Sequence, residues 1–538
     1  MRLTSSLPMF QLLLLSVGLL LCIIVAMPLF VGKIEFTGDD YLLLNDSARG
    51  LWDIWTRPSG IDFVPVTITS LVLDTWFWGQ NPKMFHLTNL IIYFFIGVTA
   101  YRFVQKVVSP PEKDLEATRL VNLVTGVAVF MMLLHPMNME SLASVAQRRE
   151  LLYVLFGLLA LCCYADAVRI GRHPGYAWLF VLLAQLSKET AIVIPALFLA
   201  IEVVAGNRAD RSKKRWPVFA VGLLITLAIF IFQVKAVEHT GLIVVDAPSN
   251  VVTRLGGVVR TTNFILLKFL APAGLTYDYD LPRPAALPPA GEWLLPIVVL
   301  AGIIWVALRR HWRSLALLSM PVVAIAPYLN ILHFGQNIPG QMIFFDHYML
   351  MPTMLASATF VALIFLLSQA VLKAALCAMI AVVLVYLFID YYQVRFWQNR
   401  ETLYSHLVEQ SPRMPKGYFF LGRYYLEQNR YREARRVFTD LLSTKGWNPT
   451  FAEVYQHLGD ACAFSGDYPN AEINYRRYLN IKKDDIKSLQ NLSTLLIETG
   501  RCDEARLVLE RLLRAYPGDY IGTYNMKRLT GDAGCKKR

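Results

Sequence analysis

The chain has 538 residues, of which 55% are hydrophobic and only 17% are charged. Soluble domains usually carry about 25% charged residues, so this composition excludes an ordinary soluble protein. The net charge of +12 is typical of nucleic-acid-binding proteins, but the basic residues collect in short loops beside apolar stretches, as the positive-inside rule of membrane proteins requires. Nucleic acid is therefore excluded as a partner, and the densest basic run, 208–215, is predicted to be cytoplasmic.

The first apolar stretch runs from Leu3 to Gly32 without a charged residue. It exceeds the roughly 20 residues that cross a bilayer, and it lacks the short apolar core and cleavage site of a signal peptide, so we predict an uncleaved anchor. Stretches of similar character predict about eleven membrane spans. These are approximately 8–32, 85–104, 119–135, 150–168, 175–187, 189–205, 216–235, 292–308, 314–330, 347–369 and 371–393.

The basic loops also give the orientation of the predicted spans. With the N-terminus inside, an odd number of crossings places everything after about residue 394 on the outer side. Residues 254–272 are apolar enough to cross, but a crossing would move the basic run at 309–313 outward. We therefore predict that 254–272 lies in the outer interface of the bilayer, and a full crossing is the alternative. The residues of its polar face are Arg254, Arg260 and Lys268.

A repeat begins where the charged residues return. Gly422 recurs as Gly459 after 37 residues, and Ala471 recurs as Ala505 after 34 residues. Small residues at fixed positions let paired helices approach closely, and this pattern resembles the tetratricopeptide repeat, with three units and a partial fourth. The predicted domains are a membrane domain at 1–393, a linker at 394–416 and the repeats at 417–538.

Two adjacent carboxylates, Asp39 and Asp40, head a polar segment at 33–85 that is predicted to form the first outer loop. Acidic residues beside a bilayer are costly to desolvate, which makes them functional candidates, and a carboxylate can deprotonate an acceptor hydroxyl as a general base. A helix cap or a solvated loop is the alternative. His86 lies where the chain re-enters an apolar stretch.

The second predicted outer loop carries His135, Glu140 and the adjacent pair Arg148 and Arg149. Arginines on the outer side contradict the positive-inside rule, which calls for an explanation. A pair of planar guanidinium groups is suited to clamp a phosphate. Anchoring of a short loop in the interface is the alternative.

Two further motifs lie at the outer ends of predicted spans. Lys188 and Glu189 form either a plain ion pair or a site in which Lys188 contacts a lipid phosphate. Asp346, His347 and Tyr348 begin the tenth predicted span, where an acid, an imidazole and a phenol in sequence indicate a binding role. All four motifs fall on the same side of the membrane, under a topology derived from the basic loops alone.

In their order along the chain, these motifs resemble the GT-C-type integral membrane glycosyltransferases, and more closely the transmembrane and tetratricopeptide-repeat O-mannosyltransferases. The resemblance implies an all-α fold, a polytopic membrane helical bundle followed by an α-solenoid. It implies a polyprenyl-phosphate sugar donor, Asp39 or Asp40 as the base, and Arg148 and Lys188 near the donor phosphate. The compact first loop and short tail suggest a bacterial member in the inner membrane, with its active site and repeats in the periplasm.

These residues predict transfer of a sugar from the lipid-phosphate donor to a hydroxyl of a protein or glycan. The predicted partners are the donor, the membrane lipids and an acceptor that the repeats select. No metal-type cysteine spacing is present, no cofactor is assigned, and a divalent-metal requirement stays open. One rival function is transfer of a whole lipid-linked oligosaccharide. The other is a non-catalytic, membrane-anchored repeat scaffold for envelope proteins, which would need neither the acidic pair nor the outward arginines.

The 34-residue offset also predicts a disulfide at the end of the repeats. It places Cys535 at the position equivalent to Arg501, in the turn next to the one that bears Cys502. Equivalent turns of stacked units lie too far apart for a disulfide without adjustment, but a chain terminus can move, and an oxidising compartment favours the bridge. Thiol labelling of the denatured, unreduced protein should leave both cysteines unmodified. Full reaction of both would show two free thiols, which is the alternative.

Overall fold

The chain forms two compact units, Met1–Asn399 and Arg400–Arg538. The computed structural model describes residues 6–32, 34–37, 40–58, 63–108, 115–205, 215–238, 251–276, 278–279, 281–282, 287–329, 341–342, 344–365, 369–444 and 452–530. Within these ranges the all-α prediction is confirmed, since the regular structure is helical apart from one antiparallel pair of two-residue strands.

The helices of the first unit are α1 (Ser6–Ala26), α2 (Asp40–Ser47), α3 (Leu51–Thr56), α4 (Pro65–Trp78), α5 (Pro82–Val107), α6 (Leu115–Leu133), α7 (Met139–Ala143), α8 (Arg148–Ile170), α9 (Gly175–Gln185), α10 (Ile194–Val204), α11 (Arg215–Glu238), α12 (Val251–Leu270), α13 (Leu294–Leu308), α14 (Trp312–Ile325), α15 (Leu350–Ile364) and α16 (Gln369–Phe396). Six short 3-10 helices join them at Met27–Leu29, Pro136–Asn138, Glu189–Val193, Ala290–Trp293, Ala326–Tyr328 and Asp346–Met349. The strands are β1 (Leu281–Pro282) and β2 (Gln341–Met342), with Leu281 opposite Met342.

Fewer helices qualify as membrane spans than the sequence predicts. In the described ranges, seven are long and apolar enough to cross a membrane, or eight if the bent pair of α6 and α7 counts as one span. The prediction of about eleven was too high because hydropathy does not measure helix length. Helices α9 and α10 have 11 residues each, which cover about 16 Å of a hydrocarbon core roughly 30 Å thick.

Two other predicted spans differ from expectation for related reasons. Helix α14 has only 14 residues and contains Pro321. Helix α6 ends at Leu133, and the helical segment Pro136–Ala143, which includes α7, follows at an angle of 56°. A proline at such a point removes a backbone donor and ends or bends a helix, so a single apolar stretch becomes two short elements.

Helix α12 covers the segment predicted to lie in the bilayer interface. It is not among the seven spans identified in the described ranges, and its buried face includes Gly257, Thr261 and Ile265. Arg260 on its polar side pairs with Glu292 at 3.0 Å. Its interfacial position stays a prediction.

The predicted first outer loop folds into a small cap on the helical bundle. Helices α2, α3 and α4 bury an apolar cluster that includes Leu43, Ile54 and Ile68, and this cluster extends to Phe85 at the start of α5 and to Val145 before α8. The loop is therefore packed against the stretch that connects α7 to α8. This contact brings the two predicted outer loops together.

The second unit consists of α17 (Arg400–Gln410), α18 (Pro415–Glu427), α19 (Tyr431–Ser443), α20 (Glu453–Phe464), α21 (Tyr468–Ile481), α22 (Ile486–Glu498), α23 (Cys502–Ala515) and α24 (Tyr520–Thr530). Helices α18 to α23 form three antiparallel pairs, as predicted. A Cβ at Gly422 would lie 2.5 Å from the Phe438 ring, and one at Gly459 would lie 2.6 Å from the Tyr475 ring, so the recurring glycines allow the close approach of paired helices.

Two details of the second unit bear on the sequence predictions. Helices α16 and α17 occupy most of the predicted linker at 394–416, and Leu403 and Leu407 of α17 are buried. Cys502 is disulfide-bonded, whereas Cys462 is a free thiol. The predicted partner, Cys535, lies outside the described residues, so the pairing stays a prediction.

Candidate active site

The centre of the candidate site is the stretch from Asn138 to Glu150, here called the 138–150 segment. It comprises the end of a 3-10 helix, the short helix α7, a four-residue connection and the first turn of α8. Nearly all of it is buried, although the sequence predicts a loop on the outer side of the membrane. Its buried polar side chains are Asn138, Glu140, Ser141, Ser144, Gln147, Arg148 and Glu150. Buried polar groups are costly without partners, so the contacts of this segment determine how the surrounding elements meet.

Asp40 is buried and bound to the 138–150 segment. One carboxylate oxygen accepts from the Ala146 backbone N–H at 2.7 Å and from the Ser144 hydroxyl at 3.2 Å. The other accepts from the backbone N–H and the hydroxyl of Thr37 at 2.9 and 3.3 Å. An ionised carboxylate has about four lone-pair sites, and these four contacts are enough to fill them. The neighbouring Asp39 lies outside the described residues.

Arg148 is fully buried and surrounded by acceptors from the first loop and α5. Its guanidinium forms an ion pair with Asp74 of α4. It also donates to the Asn89 side-chain oxygen at 2.7 Å and to the Phe85 carbonyl at 2.7 Å. The Asn89 amide in turn donates to the Ser144 carbonyl at 3.0 Å. The donors of the Arg148 guanidinium therefore bind acceptors of the protein itself, and this geometry supports a structural role for Arg148.

Lys188 lies in a buried pocket of opposite charge and aromatic rings. Its ammonium forms an ion pair with Glu150, and both side chains are almost completely buried. The same ammonium lies 4.8 Å from the centre of the Tyr348 ring and 5.3 Å from that of Tyr328, distances typical of cation–π contacts. The two rings stack with centres 4.0 Å apart. The second oxygen of Glu150 has no hydrogen-bond partner in the described part of the chain.

Arg149 and Glu189 border this pocket and are partly exposed. Both act electrostatically on Tyr348, as does Glu140. The structure therefore brings Lys188, Glu189 and Arg149 to the same place as the Asp346–Tyr348 motif. Of the two adjacent arginines, Arg149 is the one that reaches the edge of this cluster.

Glu140 joins the 138–150 segment to the Asp346–Tyr348 motif. One of its oxygens lies 2.8 Å from His347 Nδ1, and the other accepts from the His347 backbone N–H at 3.2 Å. Asp346 accepts from the Tyr279 hydroxyl at 2.7 Å. Burial, with the adjacent Asp346 carboxyl, raises the pKa of Tyr279 well above its usual value, so the phenol keeps its proton and donates it.

The two remaining predicted histidines have different surroundings. His135 caps the 3-10 helix that precedes α7, since Nδ1 accepts from the Met137 backbone N–H at 3.3 Å and Nε2 donates to the Phe269 carbonyl at 2.9 Å. These contacts give His135 a structural role. His86 is buried, and neither ring nitrogen has a hydrogen-bond partner among the described residues.

Sequence analysis missed several residues that contact the predicted site residues. Asp74 is the single acidic residue of α4, and a lone acid in an apolar helix beside a membrane is a signal that could have identified it. Tyr279 and Tyr328 gave no such signal, because each lies far in sequence from the residues it contacts. No group of three or more histidine, cysteine or acidic side chains in the described ranges is arranged to hold a metal ion.

Comparisons with known proteins agree with parts of this picture. The model of the tetratricopeptide repeat family matches residues 421–486. A protein O-mannosyl-transferase of Caenorhabditis elegans is 23% identical over 299 residues, which make up 54% of this chain and 41% of that protein. The chain thus spans less than half the length of this relative. The solved structure of the APC/C hetero-tetramer Cut9-Hcn1 aligns over 91% of this chain and 95% of that chain, at 12% identity and a TM-score of 0.24, which is too low to support an argument.

The geometry predicts that Arg148 and Asp74 are needed for folding. Arg148→Ala or Asp74→Ala leaves the other charge buried and uncompensated, which typically costs about 3–5 kcal/mol. We expect each variant to lower the midpoint of thermal unfolding in detergent. The double variant should be less destabilised than the sum of the single variants, because it removes both charges.

The control is the exposed pair of Asp53 and Arg57, 3.5 Å apart. Asp53→Ala should change the free energy of unfolding by less than about 1 kcal/mol. An Arg148→Ala variant that unfolds at the wild-type temperature and loses only donor binding would contradict the structural role and support a phosphate contact.

Proposed function

We propose that this protein is a membrane glycosyltransferase of the GT-C type. It transfers a sugar from a polyprenyl-phosphate donor to a hydroxyl of a protein or glycan on the outer side of the membrane. The observation that carries the proposal is the convergence of buried charged side chains from separate stretches on the 138–150 segment. The similarity to a protein O-mannosyl-transferase supports the same reaction class.

In the proposed reaction, the acceptor oxygen attacks the anomeric carbon of the donor sugar. The bond between that carbon and the phosphate oxygen breaks, and the polyprenyl phosphate leaves with the electron pair. A carboxylate takes the proton of the acceptor hydroxyl as general base. Asp39 is the proposed base, because the oxygens of Asp40 are already occupied by Thr37, Ser144 and Ala146. Asp40 then acts as a positioning residue that ties the start of α2 to the 138–150 segment.

The leaving phosphate develops negative charge, which nearby cations stabilise when they are already in place. Arg149 and Lys188 are the proposed cations. Lys188 is fixed by Glu150 and the stacked tyrosines, and Arg149 lies at the partly exposed edge of the same cluster. Arg148 contributes by holding the first loop against the bundle.

The other predicted residues have supporting roles in this proposal. Glu140 orients His347 through two contacts, and Tyr279 holds Asp346. His86 keeps both ring nitrogens available beside the Arg148 network. The repeats select the acceptor. The protein is proposed to lie in a bacterial inner membrane, with the active site and the repeats in the periplasm.

The acidic pair gives the direct test of the reaction. Asp39→Asn should lower transfer by about 10²- to 10⁴-fold, which is typical for loss of a general base, with no change in thermal unfolding. Asp40→Asn should lower both transfer and unfolding temperature, because it replaces an acceptor with an amide donor in a buried site. The measurement is release of polyprenyl phosphate from a panel of polyprenyl-phosphate hexoses by protein purified in detergent.

Asp53→Asn is the control, since Asp53 is an exposed acid of the same loop, and it should retain wild-type release. If Asp39→Asn releases polyprenyl phosphate at the wild-type rate, Asp39 is not the general base. No release by the wild-type protein with any donor and acceptor of the panel would favour the scaffold function over the enzyme.

The sidedness of the second unit is a separate prediction. Seven crossings or eleven place it opposite the N-terminus, whereas eight would place it on the same side, so the result depends on how α6–α7 and the short helices cross. We expect a dual phosphatase–galactosidase reporter fused after Lys537 to have periplasmic activity. A fusion after Arg310 distinguishes the two odd counts, because eleven spans place this loop inside, with cytoplasmic activity, whereas the seven long helices place it outside. A cytoplasmic result at Lys537 would contradict the topology.

A further inference from the structure

The second unit has a basic surface cavity that no part of the proposed reaction uses. The cavity has a volume of about 470 Å³. It lies between the exposed face of α19 and the end of α20, two helices of consecutive repeats. Its lining residues are Arg432, Arg435, Arg436, Thr439, Asp440 and Ser465.

The walls of the cavity are held in place by contacts between the two repeats. The ring of Tyr431, at the start of α19, stacks on Phe464, at the end of α20, with centres 5.0 Å apart. Arg435 pairs with Asp467 in the following turn at 2.8 Å. The cavity therefore lies between packed elements, and Arg435 in its lining is held by an ion pair.

The three arginines are not a requirement of the repeat. Residues that build the repeat recur at corresponding positions, as Ala434 does at Ala471 and Ala505. The later repeats do not keep the cluster of three arginines at the corresponding positions. In the second repeat these positions hold Pro469, Glu472 and Ile473, and in the third they hold Asp503, Arg506 and Leu507, so one arginine remains there. The cluster is thus specific to the first repeat.

The charge of the cluster is only partly compensated. Arg432 forms no ion pair in the described part of the chain, and Arg436 is 85% exposed with its closest carboxylate, Asp440, at 3.9 Å. Like charges one turn apart on a helix destabilise it, so Arg432 and Arg436 repel each other. A bound anion would remove this repulsion.

We propose that this cavity binds a phosphate group. Guanidinium groups present planar pairs of donors that match phosphate oxygens, and three of them surround one cavity here. The phosphate could belong to a lipid headgroup or to a soluble phosphate ester, and both have the same chemistry at the site. This site lies in the repeat unit and is independent of the proposed transferase site.

The test uses the full-length protein in a neutral detergent and phenylglyoxal, which modifies accessible arginines. Inorganic phosphate is added at millimolar concentration, with sodium chloride adjusted to constant ionic strength, and modification is followed residue by residue by mass spectrometry. We expect phosphate to slow modification of Arg432 and Arg436 by about tenfold, as for charge-assisted contacts. Arg506, the third-repeat equivalent of Arg435, should react at an unchanged rate.

Variants make the test specific. In Arg432→Gln/Arg436→Gln, phosphate should no longer slow the modification of Arg435, whereas Arg506→Gln should retain full protection at the cavity. All these side chains are exposed, so the variants should unfold at the wild-type temperature. Equal effects of phosphate on Arg506 and on the cavity arginines would overturn the proposal, as would cavity arginines that neither inorganic phosphate nor phosphatidylglycerol protects.

A second experiment with short-chain lipids distinguishes a lipid headgroup from a soluble phosphate ester. Monomeric dihexanoyl phosphatidylglycerol replaces inorganic phosphate, and dihexanoyl phosphatidylcholine serves as the zwitterionic control. Protection by both phosphatidylglycerol and inorganic phosphate assigns the site to the phosphate group itself. Protection by phosphatidylglycerol alone assigns it to a lipid headgroup. Protection by sodium chloride alone would overturn the proposal.

Discussion

The arrangement of the membrane unit depends on the compensation of one buried cation, the guanidinium of Arg148. An isolated charge at such a depth would cost several kcal/mol, so acceptors from α4 and α5 must converge on it. Asp74, Asn89 and the Phe85 carbonyl satisfy this requirement together. The predicted first outer loop is therefore held by electrostatic contacts as well as by its apolar cluster, and Asp40 contacts the 138–150 segment in the same interface.

How much of the fold the sequence predicts depends on whether local pattern or tertiary packing decides each element. The repeats were predicted well, because Gly422 and Ala434 recur at fixed distances and each unit contacts only its neighbours. The number of spans was not, because the apolar stretches at 175–187 and 189–205 were counted as spans, whereas α9 and α10 are helices of only 11 residues each. Hydropathy records which residues avoid water, but it does not record where a helix ends.

The candidate site was also predictable only where local pattern decides the outcome. Residue type and a predicted outer position were enough to select Asp40, Glu140 and Lys188, whose buried contacts join other elements to the 138–150 segment. Their part in a reaction stays a prediction. Residue type and position were not enough to assign the role of Arg148. Its predicted outer location suggested a contact with a ligand, but its side chain forms an ion pair with Asp74. That distinction depends on a partner 74 residues earlier in the chain, and a sequence without the fold gives no measure of such a distance.

The contacts of the 138–150 segment also impose an order on biosynthesis. Arg148 emerges from the ribosome after its acceptors, so its charge can be compensated at once. Glu150 must wait for Lys188, 38 residues later, and Glu140 must wait for His347, 207 residues later. During insertion, the polar groups of the segment therefore exchange water for protein partners in stages. Its final burial is complete only when α15, the last helix but one of the unit, has joined the bundle.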